Sequence, residues 1–325
     1  MLAYIIRRLI QGIAVLLAVS VICFAIFQFM GDPVLTLAGR YATQKQQEEV
    51  RKTLGLDKPL YIQYFIFLKN ALHGNFGMSY VTHIPVLGLI FERLPASIEL
   101  AITAMIISLS LGIILGVVSS LNPNSIPSRI VMTGSLFGIS LPTFLIGILL
   151  IMIFAVALRL LPPFGRGEVI KVAGTWRTGF LTSNGFSHLI LPAFTLGMYQ
   201  LAVILRLTRG GMMEVLREDY IRTAWAKGLS RMIVVFKHAL RNALIPVITI
   251  AGLQFGELIA FSTVTETIFQ WPGAGNLLLT SIYETDHPVI IAYVMITSFI
   301  ILSLNILVDT LYVFINPKIR YGKHD

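Results

Sequence analysis

The chain has 325 residues, 56% of them hydrophobic and only 13% charged, about half the charged share of a soluble globular domain. That composition excludes a protein dissolved in water. The net charge of +9 then reads as Lys and Arg gathered beside membrane spans and anionic lipid, with no nucleic-acid partner implied.

Arg7 and Arg8 precede an apolar run over 9–30. A signal-peptide core runs about 7 to 15 residues and ends at a small-x-small site. This run is longer and ends in Met30, Gly31 and Asp32, so it predicts an uncleaved first span. The single cysteine, Cys23, lies inside it and excludes an internal disulfide and a cysteine-based zinc cage. Residues 31–97 are mixed and polar and are expected to form a periplasmic loop region. Within it Thr43 and Gln46 read as a capping box opening a short charged helix that stops at Gly55.

Five further apolar blocks follow, at 98–121, 130–158, 189–207, 245–265 and 289–315. Each is long enough for a helix rising about 1.5 Å per residue to cross about 30 Å of hydrocarbon. The expectation is an all-α membrane protein of six transmembrane helices: a first span within 1–30, the loop region 31–97, a five-helix core over 98–315 and a tail over 316–325. Counted near the ends of spans, Lys and Arg favour an N-in, C-in topology. The four basic residues between Arg159 and His188 argue mildly the other way.

The fourth and fifth spans are joined by roughly 40 residues, where packed helices usually need 2 to 8. The segment 211–244 holds two helical patterns parted at Gly228, Leu229 and Ser230, which predicts a protrusion of two short helices. On the first, Tyr220, Ala224 and Gly228 share a face that steps down to bare backbone and could approach a partner closely. On the second, Ile233, Phe236 and Leu240 form an apolar stripe, with Arg231, Lys237, His238 and Arg241 supplying charge. Two readings stand: a docking site for a soluble partner, or an amphipathic helix lying on lipid.

The string RTAWAKGL at 222–229, followed by HALRNALIP at 238–246, resembles the EAA loop of the dipeptide/oligopeptide/nickel permease family of ABC importers. Four other stretches resemble the same family: LGLDKPLYIQY at 54–64, ERLPASIELA at 92–101, ETIFQWPGAG at 266–275 and NPKIR at 316–320. The resemblance implies a type I-like importer permease of the bacterial inner membrane. It implies a second homologous permease subunit, two ATP-binding subunits and a periplasmic or lipid-anchored substrate-binding protein as partners, in contact with membrane lipid. It also implies an ATPase-coupling loop carried by Tyr220, Arg222, Thr223, Ala224, Lys227, Gly228, His238, Arg241 and Pro246. Arg222 and Thr223 stand where the general importer loop has Glu and Ala, and Arg241 where Pro is common, replacements the peptide branch itself tends to show. Pro246 is expected to open the fifth span, with a fixed backbone that passes loop movement to the helix.

Other polar positions divide between transport and packing. Glu257, with Gln254 beside it, is costly in a span, so it meets either a substrate ammonium group in a wet pathway or the second permease. Glu99 and Asp309 read as anchors at or between spans. Trp271, Pro272 and Gly273 make a tight turn suited to the interface, either a periplasmic gate or a structural hairpin. Gly112 and Gly116 read as close helix packing. The six histidines show no ligand spacing, so no metal site is expected.

The chain has no phosphate-binding loop. Its Gly322–Lys323 pair has Pro317 where the motif needs Gly. No enzyme activity and no cofactor of its own are therefore expected, with ATP and Mg²⁺ held by partner subunits. The rival reading is a self-contained secondary transporter, which should show half-repeats and broken spans.

Overall fold

The computed structural model describes residues 2–29, 43–53, 57–174 and 176–315. Met30, residues 31–42, Gly55, the first residues of the LGLDKPLYIQY string, the NPKIR segment and the rest of the 316–325 tail lie outside the described residues.

The helices are α1 (Leu2–Phe29), α2 (Gln44–Thr53), α3 (Leu60–Leu72), α4 (Val86–Leu121), α5 (Ile126–Ser140) and α6 (Thr143–Leu150), which runs on into a π-helical stretch (Ile151–Ala157). A small antiparallel hairpin follows, β1 (Ile170–Ala173) and β2 (Trp176–Thr178). Then come α7 (Ser183–Val215), α8 (Asp219–Ala226), a second π-helical stretch (Ile233–Ala239) leading into α9 (Leu240–Ile268), α10 (Ala274–Tyr283) and α11 (His287–Ile315). The capping box at α2 forms, with Thr43 N–H donating to Gln46 Oε1 at 2.9 Å and Gln46 N–H to Thr43 Oγ1 at 3.4 Å.

Five helices are long and apolar enough to cross a membrane, and the third apolar block supplies a sixth candidate in two pieces. Hydropathy predicts one continuous helix over 130–158. The structure instead bends it by 114° between α5 and the α6 segment. The cause is local: Pro142 disfavours helical geometry in the residue before it, and Leu141 is extended at φ −88°, ψ 137°.

Close contacts set the direction of each helix. α4 and α7 lie side by side and parallel, because Ser108 Oγ donates to Gly197 O at 2.7 Å while Gly112 meets Leu201 and Ile204 and Gly116 meets Leu205 and Thr208. Lipid tails offer no hydrophobic drive between spans, so small residues that let backbones approach are what hold such a seam. Two parallel neighbours need the intervening chain to return the full length of the bundle. The bent pair makes that return: Arg209 reaches Pro123 O just before α5, Gly138 faces Met198, Gly147 faces Thr195, and Arg166 reaches Glu99 near the start of the α4 span. α9 then runs antiparallel to α7, with Gly211 against Ala243. α11 runs antiparallel to α9, with Gly252 against Val308 and Gly256 against Ile301. α1 runs antiparallel to α11, fixed by the Arg8 Nε to Asp309 Oδ2 ion pair at 3.0 Å and by Gly12 against Ile306. The start of α1, the end of α11 and α8 therefore share one end of the bundle, the loop end. The β-hairpin and α10 occupy the other, the hairpin end.

A Cβ on Gly116 would stand 2.6 Å from Thr208 Cβ and 2.9 Å from Leu205 O. Gly116→Val is expected to destabilise the purified protein by about 1–3 kcal/mol through overpacking, seen as a lower thermal midpoint in detergent. Gly134→Val, at a position with no atom near its Cβ, should leave the midpoint close to wild type.

Candidate functional site

At the loop end α8 forms a compact unit with the foot of the bundle. Ile221 and Ala224 are buried at 0% and 6% exposure and pack with Val117, Met212, Val234, Val235, Ala239 and Ala243. Of the face expected to step down from Tyr220 through Ala224 to Gly228, Ala224 turns inward while Tyr220 and Gly228 stay exposed. Apart from Ile221 and Ala224, every residue from Asp219 to Gly228 is exposed, Tyr220, Arg222, Thr223, Trp225 and Lys227 among them. α8 ends in a Schellman cap: Gly228 N–H donates to Trp225 O at 2.9 Å and Leu229 N–H to Ala224 O at 3.4 Å, with Gly228 at φ +76°. Glycine is needed there for backbone conformation, since a Cβ would meet open space.

The second expected loop helix is continuous with the fifth span. The π-helical winding over Ile233–Ala239, with its i→i+5 bonding, turns Val234, Val235 and Ala239 inward and leaves Ile233 and Phe236 exposed. Ile233 and Phe236 of the expected apolar stripe are thus left uncovered by this chain. Pro246 lies inside α9 and does not open it; its missing N–H leaves the Asn242 carbonyl without its helical donor. Asn242 Nδ2 donates to Tyr220 OH at 2.7 Å and ties α8 to α9. Among the described residues Arg222 pairs only with Asp219, on the exposed surface. Beside this junction lies an open groove of 670 Å³ lined by Tyr220, Lys237, His238, Arg241, Asn242, Ile245, Ile248 and Thr249.

Midway along α9, Leu253, Glu257, Phe261 and Val264 form an exposed face. Gln254 sits at its edge, half-buried, and its Oε1 has no donor among the described residues. Gln200 of α7, 3% exposed, is in the same position. Gly211 against Ala243 fixes the antiparallel register, and stepping equally back along α7 and forward along α9 brings Gln200 level with Gln254. The middle of this seam thus holds two amides with unused acceptors beside an uncovered carboxylate.

The hairpin end is closed by buried carboxylates. Glu266 accepts from Ser97 Oγ at 2.6 Å, Ser262 Oγ at 2.7 Å and Asn276 N–H at 2.9 Å, while Ser97 Oγ accepts from Ala274 N–H at 2.8 Å. Together they cap the first turn of α10, where backbone N–H groups lack helical partners. A Cβ on Gly273 would collide with the Glu266 carboxylate, so glycine is required there for close approach. Trp271 is fully buried, its Nε1–H donating to Ala96 O at 2.9 Å, with the Arg166 guanidinium 5.7 Å above its ring. It therefore has no surface with which to line a membrane interface. Pro272 is half-buried beside it. Glu99 receives Arg166, through Nε at 3.0 Å and through Nη2, together with Thr178 Oγ1 and Gly179 N–H. Asp286 accepts from Ser79 Oγ and Tyr80 N–H; burial and that carboxylate push the Tyr80 hydroxyl up to about 12.

Two family models match the chain: the binding-protein-dependent transport system inner membrane component over residues 108–321, and the N-terminal component of the same system over 1–101. The glutathione transport system permease protein GsiC of Escherichia coli K12 is 43% identical over 322 residues, covering 99% of this chain and all of that one. GsiC of Shigella flexneri serotype 5b is 42% identical over the same span. A chain of the inward-facing MetNI methionine ABC transporter shares the fold at TM-score 0.52 and 17% identity, covering 70% of this chain and 95% of that chain.

The chain belongs to the binding-protein-dependent inner membrane component family. It is a multi-pass permease subunit of an ABC importer.

Within this permease the expected positions fall in three separate places. Tyr220 through Gly228, with His238, Arg241 and Pro246, gather at the loop end; Gln254 and Glu257 lie mid-span; Trp271, Pro272 and Gly273 lie at the hairpin end. Gln200, Ser97, Arg166 and Asp286 were not singled out by the sequence, since their partners are distant in the chain. A carboxylate at Glu99 facing an excess of basic residues in the 159–188 loop was the one available signal for Arg166.

Glu99 and Arg166 have side chains only 2% and 9% exposed. Glu99→Gln alone is expected to destabilise the permease by about 3–5 kcal/mol by stranding the buried guanidinium. The Glu99→Gln/Arg166→Gln double variant should lose less than the sum of the two single variants, read from thermal midpoints in a double-mutant cycle.

Proposed function

We propose that this permease pairs with a second, homologous permease to enclose a pathway for peptide-sized solutes, of which glutathione is the first to test. The reading of the solute leans on the GsiC relatives, whose names carry glutathione. In this reading the loop end is cytoplasmic, both ends of the chain are inside, and the membrane is the bacterial inner membrane. Two partner ATPases bind and hydrolyse ATP with Mg²⁺, and this chain holds no cofactor. A periplasmic or lipid-anchored binding protein delivers the solute at the hairpin end.

The observation that carries the reading is the construction of α8. An eight-residue helix cannot hold its shape alone in water, yet here its apolar side is locked into the foot of α4, α7 and α9 while its polar and aromatic side is free. A load applied to Tyr220, Trp225 or Lys227 is passed to three spans at once. Such a part suits a lever seated in a groove of a moving ATPase.

Along the pathway, Glu257 offers a carboxylate and Gln254 an acceptor without a donor. Both suit the ammonium group of a peptide. Glu257→Gln should raise the concentration of glutathione needed for half-maximal uptake several-fold while leaving ATPase stimulation in place. Unchanged uptake would remove Glu257 from the pathway.

The lever is tested at its cap. Gly228→Val forces a β-branched residue to positive φ, whereas Asn tolerates that region. In proteoliposomes with all partner subunits, Gly228→Val should cut ATP-driven glutathione uptake several-fold while the complex still assembles, and Gly228→Asn should keep most of it. Equal uptake by both variants, or uptake by the permease alone in liposomes, would refute the reading.

A further inference from the structure

We propose that the basic groove beside α8 is a binding site for the phosphate headgroup of an anionic phospholipid of the cytoplasmic leaflet. The groove has a volume of 670 Å³, within the range of about 300–1,000 Å³ typical of ligand sites. Its lower wall carries Lys237, His238 and Arg241 with the hydroxyl of Tyr220 and the amide of Asn242, and no carboxylate lines it. Neither Lys237 nor Arg241 forms an ion pair with any described carboxylate. The acid that opens α8, Asp219, is taken by Arg222 at 3.2 Å. Two cations are therefore left facing one concavity with no internal counter-charge, which an anion with several acceptor oxygens would satisfy.

The upper wall decides between a lipid and a soluble anion. Ile245, Ile248 and Thr249 belong to the apolar block of α9, one to three turns above the basic residues on the same helix. The groove thus grades along its length from phosphate-binding to hydrocarbon-like, in the order that a phospholipid presents its own parts. Basic pockets between helices on the cytoplasmic side are where anionic headgroups are held in membrane proteins. A partner ATPase surface would match the charged wall but would leave the apolar wall uncovered.

The position gives binding a consequence. Tyr220 of α8 and Asn242 of α9 are hydrogen-bonded at 2.7 Å across the floor, so a headgroup held by Lys237 and Arg241 would brace the junction between lever and span. That consequence rests on the lever reading; the binding itself rests only on the proposed cytoplasmic placement of the loop end.

The test uses the intact transporter complex, purified in mild detergent and exchanged into nanodiscs of phosphatidylcholine with a small fraction of phosphatidylglycerol. Native mass spectrometry after release should find phosphatidylglycerol retained on wild type. Retention should fall at least fivefold in Lys237→Gln/Arg241→Gln and stay unchanged in Lys171→Gln, a basic substitution in the β-hairpin. Displacement of the lipid by millimolar inorganic phosphate would show a site for a free anion and overturn the assignment. Equal retention by wild type and the double variant would overturn it as well. Loss of the ATPase subunits from the double variant with lipid retention unchanged would mark the groove as a protein dock and overturn it. In proteoliposomes, uptake by wild type should rise with phosphatidylglycerol content and that rise should vanish in the double variant. Lipid retention without that rise would keep the site and refute only its link to the lever.

Discussion

The parallel seam between α4 and α7 is the constraint from which the rest of the permease follows. Helices in a bilayer gain little from apolar contact with one another, because lipid is equally apolar. What holds α4 to α7 is close backbone approach at Gly112, Gly116 and Gly197 and the hydrogen bond from Ser108 to the Gly197 carbonyl. Parallel neighbours cannot be joined by a tight turn. The chain must travel back between them, and α5 and α6 make that return in two pieces broken at Leu141 and Pro142. The return leaves the β-hairpin loop at one end, and the exit of α7 leaves α8 at the other. The two ends of the molecule are thus specialised by one packing choice.

The ends are built on opposite principles. At the hairpin end, Glu99, Glu266 and Asp286 are each at most 2% exposed and each has several donors. Burying a carboxylate is tolerable only with such a set of partners. Satisfied networks of this kind fix one geometry, and the fixed element here is the group of α10, Trp271 and the 159–182 loop. At the loop end the packing of α8 is apolar and its charges face outward, Arg222 held only by the exposed Asp219 among the described residues. A rigid cap at one end and an exposed, anchored helix at the other is an arrangement suited to transmitting force along the spans between them.

Much of this was legible in the sequence, for reasons that also explain what was not. Hydropathy marks the long spans because composition alone decides solubility in lipid, and Gly112 and Gly116 marked their own seam through their spacing. The same measure is blind to the break at Leu141, where the backbone turns without any change in polarity. A 3.6-residue period finds the outward stripe of Ile233 and Phe236, which the structure leaves exposed, but it does not show that Val234, Val235 and Ala239 form the packed side of a π-helical stretch. The motif around Trp271 announced a tight turn through Pro272 and its glycines. The role of Glu266 was hidden because Ser97, its hydrogen-bond partner, comes from a helix 169 residues away in the chain. Gln200 looked like one polar residue in a span and acquired meaning only when the register of α7 on α9 set it level with Gln254.

The spans differ in how much of them this chain buries. In the most apolar window of α7, 67% of residues are buried, whereas in that of the α9 span only 28% are. α9 is nevertheless held by α7 on one side and α11 on the other, so its bare face is a distinct side of the molecule. That face carries Glu257. A charged residue turned to lipid at mid-bilayer costs on the order of 2.5–3.5 kcal/mol, and no described cation of this chain pairs with it. The cost is avoided if the face looks onto water or onto another protein. The two-permease assembly proposed above would supply both, with the bare sides of two α9 helices enclosing a wet space between them. In that proposed assembly the pathway would belong to neither chain alone, and the uncovered carboxylate would mark the side from which the second one approaches.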